Sequence, residues 1–400
     1  MTGERRPRSI HRAPPPFTRS EFEQRIERAR ALMTATRLDA LLIASEANLP
    51  YFSGLESQIA WISPSRPWHM IVPLEGEPVA VIPASGLREW RESAWVGEVR
   101  TWRSPNPENE GLDLLAAEIK RTARRFRRIG VELGQEARLA MAPGDLMRLL
   151  DMIRPVQAAD CQPIMRQLRF VKSKAEIARL RHIGGIVSDA FADLSRLFRP
   201  GMRDADLLRA LQADILLRGA DKTPYMVIGS GRGGYDSTSL GPTGRKLTKG
   251  DVFQIDTGSR YGGYFCDFCR NYAVGKPTVA VQRAYDALWH ATQAGIEAAM
   301  PGRTAADLFH AQARVIEAAG FQIRDAGRMG HGLGRNITEP PSNKPDDHTV
   351  LVAGATVTIE PMCMFGRGKL MVHEENLVVT DKGPLLLSRR APVEITLLSP

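Results

Sequence analysis

Cysteine is scarce in this 400-residue sequence, which has only Cys161, Cys266, Cys269 and Cys363. Four irregularly spaced thiols in so long a chain make no disulfide framework, and reduced thiols are expected. Cys266 and Cys269 spell C-x-x-C. Asp267 lies between them in a β-prone segment, however, and no second pair completes a zinc knuckle, so they read as buried apolar thiols. Long apolar runs are missing too. None approaches the ~20 residues that span a bilayer. The opening MTGERRPRSIHRAPPPFTRS carries positive charge without the apolar core of a signal peptide. No membrane partner and a cytoplasmic location are therefore expected. Aromatic residues make up 6% and never interleave with basic ones in the manner that stacks bases, so nucleic acid is not an expected partner despite a formal net charge of +9. The densest basic run, EIKRTARRFRR at 118–128, fits a helix with Ile119, Ala123 and Phe126 as its buried stripe and its Arg and Lys facing water.

What is present is a chain able to bury more than one core, with 43% hydrophobic residues. Residues 1–16 are rich in Arg and Pro without periodicity and read as a flexible arm. From 17 to about 165, helical patterns (EFEQRIERARALMTA, LDLLAAEIKRTARRF, PGDLMRLLDMI) alternate with strand-like ones (DALLIA, HMIVPL, PVAVIP, RIGVEL), which predicts a small α/β domain. From about 166 to 400 the pattern changes. Ile177, Leu180, Ile183, Val187, Phe191 and Leu194 recur at three and four residues, predicting one long amphipathic helix over 168–198. A helix near 205–219, β-prone segments at 224–274, two helices at 278–299 and 304–319 and a β-rich stretch at 351–379 follow. Strands grouped apart from helices predict an α+β domain with an antiparallel sheet.

Two acids stand inside the apolar β-prone runs of GDVFQIDTGSRYGGYFCDFCRNYAV, which reads as a hairpin turning at Gly262 and Gly263. Asp256 and Asp267 are thereby placed on paired strands facing one pocket, and an acid so placed is costly unless paired or bound to a cation. His331 lies among glycines in GRMGHGLG, Glu360 in VTIEPMCMF and Glu374 in MVHEENLVV. Each alone passes for a loop or edge residue. Together, four carboxylates and one imidazole suit two divalent cations a few ångströms apart. Two other features carry less. GSGRGG at 229–234 fits G-x-G-x-x-G, but no helix pattern opens after it and no ribose-binding acid follows, so it reads as a turn. Ser237, Thr238 and Ser239 have no histidine nearby in sequence to activate them.

The order D-x-G, G-Y-x-x-D-x-x-R, G-H-G-x-G, E-P and E-x-N, with an LRxVKSxxEI junction at 168–177, resembles the creatinase/prolidase/aminopeptidase-P family of pita-bread metallopeptidases over nearly the whole chain. The resemblance implies a pita-bread catalytic domain after a creatinase-type α/β domain, and a homodimer. It implies two divalent ions (Mn, Fe, Co or Zn) held by Asp256, Asp267, His331, Glu360 and Glu374, with Asp267 bridging, Asp256 and Glu374 bidentate or bridging, and Glu360 doubling as general base. The implied reaction is hydrolysis of a C–N bond in an Xaa-Pro dipeptide or related small molecule. In related dimers a loop of the first domain enters the partner's pocket; here Trp61, Arg66 and Trp68 are candidates for that, with ordinary interface packing the preferred reading.

The chain also departs from the family. Where proline-specific members carry three further pocket histidines, spacing puts Ser239, Gly327 and Thr338, and Val372 replaces an Arg. Ser239 and Thr338 thus stand where groups that hold a peptide and shuttle its proton would be, which opens the choice of substrate to non-peptide amides and zwitterions such as creatine, ectoine or dimethylsulfoniopropionate, to a lyase reaction, or to a non-catalytic binding role. His348 is a further histidine, expected on an exposed loop.

Overall fold

The computed structural model describes residues 11–57, 59–62, 65–135, 137–323 and 327–399, so the expected arm lies outside the described residues up to residue 10. The chain divides into two compact units, Pro16–Arg169 and Phe170–Pro400, the second taking in the segment that precedes Pro16.

The first unit runs α1 (Arg19–Thr36), β1 (Ala40–Ile43), α2 (Asn48–Ser53), β2 (His69–Pro73), β3 (Val79–Pro83), α3 (Leu87–Ser93), β4 (Glu98–Trp102), α4 (Leu112–Thr122), β5 (Arg128–Val131), α5 (Pro143–Met152), β6 (Gln157–Asp160) and α6 (Gln162–Phe170). Its described strands pair in the order β4-β3-β2-β1-β5-β6. Side-chain alternation sends Leu41, Ile43, Met70 and Val72 to one core and Ala40, Leu42, Ile71 and Val81 to the other. Both faces are covered, which is why these strands read as unbroken apolar runs. A buried carboxylate ties the sheet to α2: Glu132 accepts the Ala44 and Ser45 amides (2.8 and 3.0 Å) and the Asn48 side chain (2.6 Å). Trp68 is buried beside Trp90, whereas Arg66 is exposed.

Helix α4 stops short of the predicted stripe. Asp39 accepts the amides of Arg125, Phe126 and Arg128 (3.0–3.2 Å), drawing residues after Thr122 out of the helix and into the approach to β5. The long helix predicted over 168–198 is likewise three pieces: Ser173 caps a new start after Phe170, and a second break falls at Asp193.

The second unit continues with α7 (Lys174–Ala192), α8 (Leu194–Leu197), α9 (Asp204–Leu217), β7 (Lys222–Arg232), β8 (Asp251–Tyr261), β9 (Tyr264–Phe265), β10 (Phe268–Val274), α10 (Val279–Ala298), α11 (Ala305–Ala318), β11 (Gln322–Ile323), β12 (His331–Gly332), β13 (Glu339–Ser342), β14 (Thr356–Ile359), β15 (Met362–Gly366), β16 (Lys369–Val372), β17 (Glu375–Thr380), β18 (Gly383–Leu386) and β19 (Thr396–Leu398). At the head of α7, Ser173 and Glu176 form a reciprocal capping box that satisfies two otherwise orphan amides. One sheet orders β19-β10-β8-β7, and another β13-β12-β14-β17-β18. On the first, Phe253, Ile255, Phe268 and Tyr272 pack with Ile183, Val187 and Phe191 of α7 and Leu211 of α9. The opposite face, carrying Val252, Cys269 and Ala273, packs with Ala284 and Leu288 of α10. Asp256 and Asp267 have the parity of this second face. The four thiols are free and buried. Among the described residues no helix is long and apolar enough to cross a membrane. In GSGRGG, Gly229–Arg232 belong to β7, and a Cβ on Gly229 or Gly231 would strike the backbone of Ser237 or Gly234.

Helix α7 also seats the chain near the C-terminus. A Cβ on Gly184 would lie 2.3 Å from the Leu387 carbonyl oxygen, while the atoms nearest to one on Gly185 are those of the His11 imidazole, at 2.5 Å. Gly→Ala inside a helix ordinarily gains about 0.8–1.0 kcal/mol. Overpacking against backbone costs about 1–3 kcal/mol, so the sign should reverse at Gly184. Thermal midpoints should fall for Gly184→Ala and hold or rise for Gly185→Ala; equal stabilisation of both would show that Leu387 is not held against the helix.

Candidate metal centre

The antiparallel hairpin of β8 and β10 pairs Asp256 with Cys269, and Asp267 sits two residues earlier, in the gap between β9 and β10. On the other sheet, β14 and β17 end their ladder at Ile359 and Glu375. The next residue outward on each strand is Glu360 and Glu374, so the two face each other where backbone pairing stops. His331 opens β12, beside β14.

Ligand atoms of Asp267, His331 and Glu374, all buried, lie within 4.8 Å of one another. His331 Nδ1 is 3.0 Å from the Gly332 carbonyl, which fixes the proton there and turns Nε2 toward Asp267 Oδ2 at 3.5 Å. That contact is not an ion pair. Burial, and then the charge of Arg328, lower the imidazole's pKa to about 4, so two acceptors confront each other and need a proton or a cation between them.

Asp256 and Glu360 complete the cluster electrostatically. Burial and the neighbouring Asp256 and Glu360 carboxylates push Asp267 well up; burial and then Asp267, Glu360 and Asp256 do the same to Glu374. Glu360 rises to about 8 through burial and Asp256, with Arg328 opposing. Asp256 rises to about 6 through burial, held back by its bond from Tyr225. Asp256 as a residue is half-buried, but its Oδ1 is shut away from solvent and, like Glu374 Oε1, has no hydrogen-bond donor. Orphaned, mutually repelling oxygens beside one oriented imidazole are a donor set for divalent cations, and the residues fit such ions.

Neutral groups hold the ligand-bearing backbone. Thr358 Oγ1 accepts the His331 amide (3.1 Å), Asn343 donates to the Thr358 carbonyl (2.8 Å), and the Met329 carbonyl takes both the Glu360 amide (3.2 Å) and the Gln312 side chain (3.0 Å). Tyr235 accepts the Val372 amide (3.1 Å) and donates to Asn271 (2.7 Å), which returns a bond to the Val372 carbonyl (2.7 Å).

The other expected positions are placed apart from this cluster in their contacts. Ser239 is exposed after β7, Gly327 is exposed before β12, and Thr338 is half-buried between β12 and β13. Among the described residues neither Ser239 nor Thr338 bonds to the four acids or to His331, and His348 is exposed. The segment carrying Thr338 is anchored by Glu339, which accepts the Asn336 amide (3.0 Å) and pairs with buried Lys172 (3.1 Å).

Sequence reading missed two groups. Tyr225 of β7 donates a short hydrogen bond to Asp256 Oδ2, leaving Oδ1 bare. Arg328, three residues before His331, is half-buried and its charge reaches Asp267, Glu360 and His331. The signal for Tyr225 was an aromatic residue in a strand beside the Asp256 strand; for Arg328 it was a cation inside the glycine-rich run.

A carboxyl group whose folded pKa exceeds its unfolded value binds more protons when folded, so stability falls as pH rises between the two. For Glu360 that interval runs from 4.5 to about 8. His331, neutral when buried, works the other way between about 4 and 6.5. Above pH 6.5 only the carboxylates remain, so the metal-free protein should lose thermal stability from pH 6.5 to 8, less steeply as Glu360→Gln, and not at all with saturating Mn²⁺. A flat or rising midpoint for the metal-free wild type would contradict the clustering of acids.

The sequence pattern of metallopeptidase family M24 matches residues 178–382, and that of the creatinase/prolidase N-terminal domain matches 25–171. A probable dipeptidase, PepE, of Mycobacterium tuberculosis (strain ATCC 25618 / H37Rv) is 28% identical over 374 residues, covering 92% of this chain and 94% of that protein. Among solved structures, dipeptidase PepE from Mycobacterium ulcerans superposes with TM-score 0.82 at 27% identity, over 96% of this chain and 100% of that one. A recombinant prolidase from Thermococcus sibiricus gives 0.84 at 26%, over 94% and 99%. The chain belongs to metallopeptidase family M24, with a creatinase/prolidase-type first domain and a pita-bread second, and is a metal-dependent hydrolase.

Proposed function

We propose that this hydrolase is a dipeptidase for substrates with a free terminal carboxylate and that prolyl dipeptides are among its poorer ones. The observation that carries the reading is Arg328. Among the described residues its guanidinium makes no ion pair, and its hydrogen bond goes to Ser342 Oγ at 3.3 Å. A half-buried, unpaired guanidinium at the edge of a metal centre suits the carboxylate end of a short peptide, which it binds in a bidentate fork.

Two divalent ions held by Asp256, Asp267, His331, Glu360 and Glu374 would supply the charge that polarises the scissile carbonyl and acidifies water. The chain's own residues do the rest. The Glu360 carboxylate takes the proton of the attacking water and returns it to the amide nitrogen. Tyr225 keeps one Asp256 oxygen occupied and directs the other toward the cluster. The missing imidazoles at 239, 327 and 338 favour a second reading, a small non-peptide amide or zwitterion, because no pocket histidine is left there to protonate a prolyl nitrogen.

Glu360→Gln, kept loaded by saturating Mn²⁺, should retain the fold but lose turnover by about 10²–10⁴-fold; near-normal turnover of the metal-loaded variant would move the proton transfer to another group. The substrate test uses Mn²⁺-reconstituted enzyme on non-prolyl dipeptides, their C-terminal amides, Xaa-Pro dipeptides, creatine and ectoine. Free-acid dipeptides should be preferred, and Arg328→Met should raise their KM at least about 10-fold while leaving the amides unchanged. Equal effects on acids and amides would remove Arg328 from substrate binding. Xaa-Pro cleavage with kcat/KM above roughly 10⁴ M⁻¹s⁻¹ would make the protein an ordinary prolidase.

A further inference from the structure

Asp267 occupies the one break in its strand, after β9 ends at Phe265 and before β10 begins at Phe268, so its backbone has no strand partner there. Asn376 fills that role with a side chain. Its Oδ1 accepts the Asp267 amide at 2.9 Å and its Nδ2 donates a short bond to the Asp267 carbonyl. Both groups of one residue are thus satisfied by a single amide, which mimics a neighbouring strand.

Asn376 is itself fixed. It pairs with Thr358 in the β14–β17 ladder, is 1% exposed, and donates its own amide to Ser388 Oγ at 3.1 Å. Beside it, buried Glu375 accepts from Arg270 (3.0 Å), Arg390 (3.3 Å) and the Ala391 amide (2.7 Å), locking the start of β17. Glu374 lies two residues before Asn376. One side chain therefore ties the backbone of Asp267, on the first sheet, to the strand that carries Glu374 into the second.

We propose that Asn376 is a positioning residue that sets the spacing between the Asp267 and Glu374 carboxylates, and with it the affinity for the divalent ion. The proposal rests on the reading of those two acids as ligands. Asparagine is the side chain the geometry demands. An aspartate would keep the acceptor for the Asp267 amide but set a second acceptor against the Asp267 carbonyl, and alanine would leave both groups unsatisfied in a buried place.

The test measures Mn²⁺ affinity of the full-length metal-free protein by chelator competition, and the visible absorption of its Co²⁺ complex. Losing an outer partner of a ligand typically costs about 10–100-fold in affinity. Asn376→Ala should fall in that range with an altered Co²⁺ band, and Asn376→Asp should lie between it and wild type. If Asn376→Ala does not fold, Asn376→Asp decides alone. Asn48→Ala, which removes a buried amide of the first unit, controls for lost stability and should leave both readouts unchanged. Wild-type affinity in the Asn376 variants, or an equal loss in Asn48→Ala, overturns the positioning role. Asp267→Asn separates the two ideas: if it too binds like wild type, the ligand assignment fails; if it weakens binding while the Asn376 variants do not, only the positioning role fails.

Discussion

Four carboxylates converge where water is largely excluded, and most of the second unit is arranged around that repulsion. Ionised acids a few ångströms apart in low dielectric cannot all keep their charge unless cations sit among them. The protein alone does not neutralise the cluster. Arg328 opposes the rise of Asp267 and Glu360, yet it pairs with neither. Buried Arg270 and half-buried Arg390 are committed to Glu375 on the strand beside Glu374. The scaffold keeps its fixed positive charge just out of contact, and the donor oxygens stay available.

Rigidity comes instead from uncharged groups. Thr358, Asn343, Gln312, Asn271, Tyr235 and Asn376 bind backbone amides and carbonyls of ligand-bearing segments. Neutral amides suit this work because they satisfy donor and acceptor together without adding to the local field. The ladders supply the coarse placement: two strand pairs end at the site, and alternation turns their acids to one side.

The clustering of these acids with His331 was legible because buried acids in apolar strands and a glycine-flanked histidine have few innocent explanations in combination, and because their order matches a known family. Strand alternation predicted the shared face of Asp256 and Asp267. What escaped were effects that depend on distant chain segments. Asp39 ends α4 by capturing amides 86–89 residues away, and Ser173 restarts a helix whose apolar stripe runs on through the break. Tyr225 gains its role only when β7 pairs with β8, and Asn376, which the sequence shows only as the last residue of E-x-N, only when Asp267 is left without a strand partner.

Among the candidate ligands, Asp256 lies inside β8, His331 opens β12, and Asp267, Glu360 and Glu374 stand next to strand ends, while positions 239, 327 and 338 lie on the connections between strands. Those connections meet different evolutionary constraints. A substitution within the ladders disturbs the fold and the neighbouring acids at once, while one at the exposed Ser239 is felt by little else in the structure; at Gly327 a side chain would meet open space but strain a backbone held at φ +78°. On the proposed reading of those positions as substrate-facing, selection could rewrite what the enzyme accepts without passing through forms that have lost the reaction, and a lineage that had shed its pocket imidazoles would still hold a working catalyst on which new preferences could be tried.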